Sequence, residues 1–483
     1  MIAIEGLSYR FRGSARHALR DVDLAIEPGQ FVVVTGPSGC GKSTLALAMG
    51  GYLFRQFDGE AEGSVTIAGI DAREAPIYDV AEVVGLVQQN PEAQFCTLTV
   101  RDEVAFGLEN RCMSRSDIRE RMDWALGIVG AGHLADRQLE TLSGGEKQKV
   151  AIAAVMAAKP EVLIFDEPTS NLDPTATAEI FEVIEHIQAK AGIAVIVIEH
   201  KVGYLRRFEP RLVKMDQGSI VYDGPMLATA NWRRAERHNP EEPVSDTPLV
   251  SVNDLHAGYN GNSVLHGLSL VVHPGELVSV MGDNGSGKST LLHCLLGLRK
   301  PDSGHVEVLG YDTRSAPVSQ IARQVGFVFQ NPDHQLFADS IWEEATFAAR
   351  NFGLLDEATE ARVRELLDRC GLGDRLDDHP YRLSYGQKRR LNLVSVLSYA
   401  PRLILLDEVL IGQDPANAAF LLDLLCEHTE RGGAVIMVNH APRVTRHYAS
   451  RVLFLDGRRV LVDAPNPEAF DSLRDLGRDP YVA

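Results

Sequence analysis

Two nine-residue runs carry the residue types best suited to hold phosphate. The first is Gly36-Pro37-Ser38-Gly39-Cys40-Gly41-Lys42-Ser43-Thr44, and the second is Gly282-Asp283-Asn284-Gly285-Ser286-Gly287-Lys288-Ser289-Thr290. Glycines let successive backbone N–H groups turn inward around phosphate oxygens, and a helix starting behind them adds partial positive charge. Lys42 and Lys288 have the reach to meet the outer phosphates of a nucleotide, while Ser43 and Ser289 offer hydroxyls to Mg²⁺. Two acidic pairs, Asp166-Glu167 and Asp407-Glu408, each follow four apolar residues. In such a pair the Asp suits a Mg²⁺ shell and the Glu suits polarisation of an attacking water. Solvated residues at a strand exit would not be expected to recur at the same place in both halves.

These groups need elements to position them. Each loop follows an apolar run (residues 31–35 and 277–281) and opens a helical pattern, the strand–loop–helix context of a nucleotide site. Runs 162–165, 194–198, 403–406 and 434–438 read as strands buried on both faces. Their alternation with helical patterns predicts an α/β fold with a mainly parallel sheet in each half. Residues 96–160 and 337–395 are helical in pattern and predict an inserted helical subdomain in each half.

The halves are collinear. Gln89 and Gln330, Ser143 and Ser384, and Asp166 and Asp407 are each 241 residues apart, and His200 and His440 are 240 apart. Lys42 and Lys288 are 246 apart, because the first copy is longer at 50–63. Regularity over this length is an internal duplication. The expected division is 1–232, a charged, proline-containing linker at 233–248, and 249–483.

Bulk composition narrows the class. A chain of 483 residues with 45% hydrophobic and 24% charged residues fits an ordinary globular protein. A net charge of −18 and a pI near 5.3 argue against nucleic acid as the main partner. No apolar stretch approaches the ~20 residues needed to span a bilayer, and the N-terminus lacks the pattern of a signal peptide. Six scattered cysteines without metal-ligand spacing read as reduced thiols of a cytoplasmic chain. Any membrane component is then expected to be another chain.

Leu142-Ser143-Gly144-Gly145-Glu146 and Leu383-Ser384-Tyr385-Gly386-Gln387 each place Ser three residues before Glu or Gln. That spacing is a capping box and starts a helix. Capping alone would account for it, but a capped helix start with small residues is also an anion site.

Placed between a phosphate loop and an Asp-Glu strand, these segments resemble the signature of ATP-binding cassette (ABC) ATPases, and the resemblance runs through both halves. It implies two tandem P-loop ABC ATPase domains, each a RecA-like α/β core with a helical subdomain and an N-terminal β-subdomain. It further implies ATP and Mg²⁺ as cofactors, held in a sandwich in which each loop is closed by the opposite half's signature. On this resemblance Gln89 and Gln330 sense Mg²⁺ and the γ-phosphate, with Ser43, Ser289, Asp166 and Asp407 completing the metal set. Glu167 and Glu408 are the catalytic carboxylates, and His200 and His440 the histidine switches. Asp173 and Asp414 match the aspartate after the Glu, and Phe11 and Tyr259 the aromatic that stacks on adenine. Ser143, Gly144, Gly145, Ser384, Tyr385 and Gly386 meet the nucleotide held by the other copy.

The glutamine segments share Gln-Asn-Pro-acidic-x-Gln, from Gln89 to Gln94 and from Gln330 to Gln335. This resembles the ATPases of energy-coupling factor (ECF) transporters, which import vitamins or transition-metal ions. The implied partners are a transmembrane coupling protein and a small substrate-binding membrane protein, and the implied location is the cytoplasmic face of the membrane. Coupling helices of the membrane subunit are expected at 99–108 and 340–349. ATPases of sugar or peptide importers and soluble ABC translation factors share parts of this layout. The intact second loop, the glutamine segments and the short acidic joint fit them less well. One asymmetry stands out. Tyr385 occupies the place of Gly144, and Val409-Leu410-Ile411-Gly412-Gln413 replaces Pro168-Thr169-Ser170-Asn171-Leu172. Bulk at a phosphate-facing position hinders close approach, so the Lys288/Glu408 site is expected to turn over faster.

Overall fold

The computed structural model describes residues 1–14, 16–170, 172–199, 202–226, 247–259, 261–410, 413 and 415–482. The chain divides into two compact units, Met1–Asn231 and Trp232–Ala483. Of the expected linker, 233–246 lies outside the described residues, as do His200 and Asp414.

In the first unit, strands Ile2–Phe11, Leu19–Ile26, Gly59–Ile67 and Ile70–Asp71 form an antiparallel sheet. A second, six-stranded sheet runs in the order Ser219–Pro225, Arg211–Asp216, Phe31–Thr35, Ala194–Ile198, Val162–Asp166, Val84–Val87. All its pairings are parallel except that of the Ser219–Pro225 edge. The strand before the phosphate loop shows why its sequence is apolar throughout. Phe31 and Val33 pack toward the helical side, while Val32 and Val34 pack toward the antiparallel sheet. Both faces are buried, so period-2 alternation of polar residues has no place there.

The second unit repeats this plan. Val250–Tyr259, Asn262–Val272, Ser303–Val308 and Tyr311–Asp312 form the antiparallel sheet. The six-stranded sheet runs Val325–Val328, Leu403–Asp407, Ala434–Val438, Leu277–Gly282, Arg451–Asp456, Arg459–Pro465. The extra length of the first copy holds the short helix Leu53–Gln56. The second unit instead ends in helix Glu468–Asp475, whose Phe470 and Leu473 close a small core with Phe454 and Tyr481.

Helices Val100–Asn110, Arg115–Ile128 and Gly144–Met156 form the inserted layer of the first unit, and Ile341–Asn351, Glu357–Arg369 and Tyr385–Leu397 that of the second. Each of the six starts on a capping side chain: Thr99, Ser114, Ser143, Ser340, Asp356 or Ser384. Those caps satisfy N–H groups that a helix start leaves orphaned. The two predicted capping boxes, Ser143 with Glu146 and Ser384 with Gln387, are both formed.

Candidate functional site

Each phosphate loop leaves the end of a central parallel strand and enters helix Lys42–Met49 or Lys288–Leu295. The loop backbone admits only glycine at its tightest points. Gly41 has φ 107°, and a Cβ there would collide with the carbonyl oxygen of Ala18. A cradle that tight leaves room for backbone N–H groups to face a ligand and none for side chains. Lys42 folds back so that Nζ donates to the carbonyls of Gly36 and Pro37, both at 3.0 Å. Lys288 does the same to Gly282 and Asp283 at 2.9 and 2.8 Å. Both lysines are 5% exposed, so each loop encloses a positive charge at its centre.

The acidic pairs close on these loops. Asp166 and Asp407 are the last residues of their strands. Ser43 Oγ donates to Asp166 Oδ1 at 3.2 Å. Burial first, and then the neighbouring Glu167 carboxylate, push Asp166 up to about 6. Burial likewise raises Asp407, against the pull of its hydrogen bond from Ser289. The chain turns sharply at the next residue: Glu167 and Glu408 have φ of 47° and 50°, left-handed values rare for a residue with a Cβ. Strain of that kind is retained where the surroundings over-determine it, and here each N–H is held by a neighbouring strand's carbonyl, Ile198 or Val438.

Around Glu408 the site is compact. Gln330 Nε2 donates to Glu408 Oε2 at 2.7 Å, and His440 Nε2 meets Oε1 at 2.9 Å. The His440 and Glu408 side chains are 10% and 11% exposed. Burial alone would raise Glu408, but His440, Lys288 and Gln330 outweigh it and hold the carboxyl below its usual range. In the first unit Gln89 Nε2 reaches Glu167 Oε2 at 3.3 Å. Asp173 caps helix Pro174–Ala191, accepting from the Ala176 N–H at 2.8 Å.

The donor set suits a hard divalent cation. A serine hydroxyl, an aspartate carboxylate and a glutamine amide oxygen are all oxygen ligands of the kind Mg²⁺ takes. Asp407 Oδ1, moreover, is buried without a hydrogen-bond partner.

The remaining predicted residues fall into two groups. Phe11 ends its strand in an aromatic cluster, 5.0 Å from Tyr9 and 5.8 Å from Phe57 between ring centres. Tyr259, 44% exposed, has Arg299 at 5.3 Å from its ring and His293 Nδ1 at 3.4 Å from its hydroxyl. The signature residues form the second group. Ser143 and Ser384 spend their side chains on their own helix starts. The space beside Gly145 is filled by Ala176, and that beside Gly386 by Gln413.

The sequence reading missed several residues that shape the site. Glu103 and Glu344, nearly fully buried, accept backbone N–H groups of Cys96 and Thr97 and of Phe337 and Ala338. They pin the loops that follow the glutamine segments, and their recurrence four residues after a Thr or Ser cap was a visible signal. The Gln-Asn-Pro segments are themselves structural: Asn90 and Asn331 cap one-turn helices, and Glu92 and Asp333 pair with Lys147 and Lys388 of the signature helices. Tyr481 donates to Asp283 Oδ1 of the second loop at 2.8 Å, a contact across 198 residues.

No helix among the described residues is long and apolar enough to cross a membrane. The ABC transporter family model matches residues 19–170 and 265–410, well over half of the chain. A "Putative ABC transporter ATP-binding protein" of Methanosarcina mazei is 35% identical, with 96% of this chain and 88% of that protein aligned. The "Putative HMP/thiamine import ATP-binding protein YkoD" of Bacillus subtilis is 31% identical over 97% of this chain and 92% of its own length. The solved structure of CbiO1 from Clostridium perfringens, part of the ABC transporter complex cbiONQ, is 32% identical with a TM-score of 0.42. It covers 46% of this chain and 87% of that one. With phosphate loop, acidic pair and capped signature helix present in each of two matched segments, the chain belongs to the ABC transporter family and is a tandem ATP-binding protein that hydrolyses ATP to drive transport.

Proposed function

We propose that this chain is the fused ATPase of an ECF-type importer of a vitamin or transition-metal ion, bound at the cytoplasmic face of a membrane by a transmembrane coupling protein and a small substrate-binding membrane protein. The observation that carries the catalytic half of this reading is the Gln330–Glu408–His440 cluster, gathered where strands Val325–Val328, Leu403–Asp407 and Ala434–Val438 end, the last of them beside the phosphate-loop strand. Glu408 is held ionised and takes the proton of the attacking water, and Glu167 does so in the first unit. Lys42 and Lys288 exchange their loop carbonyls for phosphate oxygens. Mg²⁺, when bound, neutralises phosphate charge; Ser43, Asp166 and Gln89, or Ser289, Asp407 and Gln330, hold it. Phe11 and Tyr259 stack on adenine, and each loop is closed by the other unit's signature. His440 orients Glu408, and His200 has the same role in the first unit.

The membrane half of the reading is supported by apolar side chains left in water near the glutamine segments. Leu98 is 81% exposed and Phe106 41%, beside and on helix Val100–Asn110. Phe337 and Phe347, 59% and 40% exposed, stack edge to face at 4.4 Å beside and on helix Ile341–Asn351. Exposed apolar groups grouped in this way mark an interaction surface. The import of HMP or thiamine named for the Bacillus subtilis relative points in the same direction.

Two measurements test this. Phe337→Ser combined with Phe347→Ser should release the chain from host membranes while ATPase activity in solution persists. Retention on membranes after that change, or sedimentation of the unaltered chain with ribosomes, overturns the reading.

A further inference from the structure

Behind the Gln330–Glu408 pair lies a buried cation that none of these roles employs. Arg389, on the second turn of helix Tyr385–Leu397, is 1% exposed. Its guanidinium donates to the backbone carbonyls of Phe329 and Gln330 and, at 3.0 Å, to the Tyr385 hydroxyl. It also lies 5.3 Å from the centre of the Tyr385 ring. Gln330 then donates to Glu408 at 2.7 Å, and Glu408 meets His440 at 2.9 Å. A continuous line of polar contacts therefore runs from the signature tyrosine to the carboxylate, all within the second unit.

Among the described residues the first unit lacks the link through a signature side chain. Its corresponding residue is Gln148, 2% exposed, whose Nε2 has no hydrogen-bond partner. Gly144 stands where Tyr385 does, with no side chain to anchor. Its Gln89–Glu167 contact is longer, at 3.3 Å. Both units share the outer tether, Lys147 with Glu92 and Lys388 with Asp333. Burying a guanidinium is costly unless its donors are matched; both terminal nitrogens of Arg389 are matched, while its Nε has no hydrogen-bond partner. The first unit adopts the same helix with a glutamine, so the fold does not require the arginine.

We propose that Arg389 is a positioning residue: it fixes the Gln330 backbone so that the side chain meets Glu408, and it ties that placement to Tyr385. This rests on the reading of Glu408 as the water-activating carboxylate.

The test uses the full chain carrying Glu167→Gln, so that turnover reports the Lys288/Glu408 site. Arg389→Gln, which installs the first unit's residue, should lower kcat about tenfold and change the KM for ATP by less than about twofold, a split that a loss of folded protein would not produce. Tyr385→Phe keeps the ring and removes the hydroxyl. It should lower kcat about threefold alone and add nothing once Arg389→Gln is present. A kcat within about twofold of the parent for Arg389→Gln, or additive effects of the two changes, overturns the proposal. If Arg389→Gln fails to fold, an unchanged kcat for Tyr385→Phe overturns it by itself. Glu408→Gln in the same background separates the two readings. Turnover surviving that change sinks the assignment of Glu408, whereas its loss beside an undiminished Arg389→Gln variant sinks this inference alone.

Discussion

The two nucleotide sites are built from the same parts but are furnished differently. In the second unit the glutamate takes contacts of 2.7 Å from the glutamine and 2.9 Å from the histidine, whereas in the first the glutamine–glutamate contact is longer, at 3.3 Å. At the signature the order reverses: Gly144 and Gly145 present bare backbone, while Tyr385 places a ring, 42% exposed, at the helix start. If each signature serves the opposite loop, the carboxylate with the shorter glutamine contact is paired with the less hindered signature. Duplication followed by opposite drift in the two parts would leave one site equipped for turnover and the other for binding.

The largest test of that difference is to neutralise each carboxylate in turn. Glu408→Gln should remove most ATPase activity, about 100-fold or more at its own site, which is the scale of a lost general base. Glu167→Gln should cost the whole chain only a few-fold. Steady-state hydrolysis by the two variants decides, and equal losses would erase the proposed inequality.

The loops offer a second contrast. Gly41→Ala drives a Cβ into a backbone carbonyl, whereas Gly287→Ala first meets a methyl at the far end of the Leu265 side chain. Both glycines have left-handed φ, so both changes should weaken ATP binding, Gly41→Ala by about tenfold more. Titration with a labelled nucleotide in each single variant measures the gap.

Restoring symmetry is the third test. Tyr385→Gly should raise turnover at the Lys42/Glu167 site a few-fold, read in a Glu408→Gln background. No gain there would mean that the tyrosine does not hinder its partner site. The smallest effect should come from the caps. Ser143→Ala and Ser384→Ala each remove one capping bond worth about 1 kcal/mol, lowering Tm by about 2–4 °C in a unit of this size. Similar Tm shifts with dissimilar ATPase losses would separate the caps from the phosphate contacts made by the same helix start.

Much of this was legible in the sequence because it is local. Strands buried on both faces announce themselves as unbroken apolar runs, and the capping boxes follow from a three-residue spacing. The phosphate loops are signalled by glycines whose backbone angles only glycine tolerates. The Gln-Asn-Pro segments were read for what they resemble, and their structural work as caps and ion-pair partners was not foreseen.

The sequence by itself determined the repeat, the α/β class, the loop residues and the family, since each depends on residue type and short-range order. Only the tertiary structure decided how Glu167 and Glu408 are turned, because a left-handed residue needs a neighbouring strand to hold it. It alone brought Tyr481 to Asp283 and Arg389 to Gln330, across 198 and 59 residues. Contacts at such separation leave no periodicity in the chain, and burial of a polar side chain is a property of what packs over it.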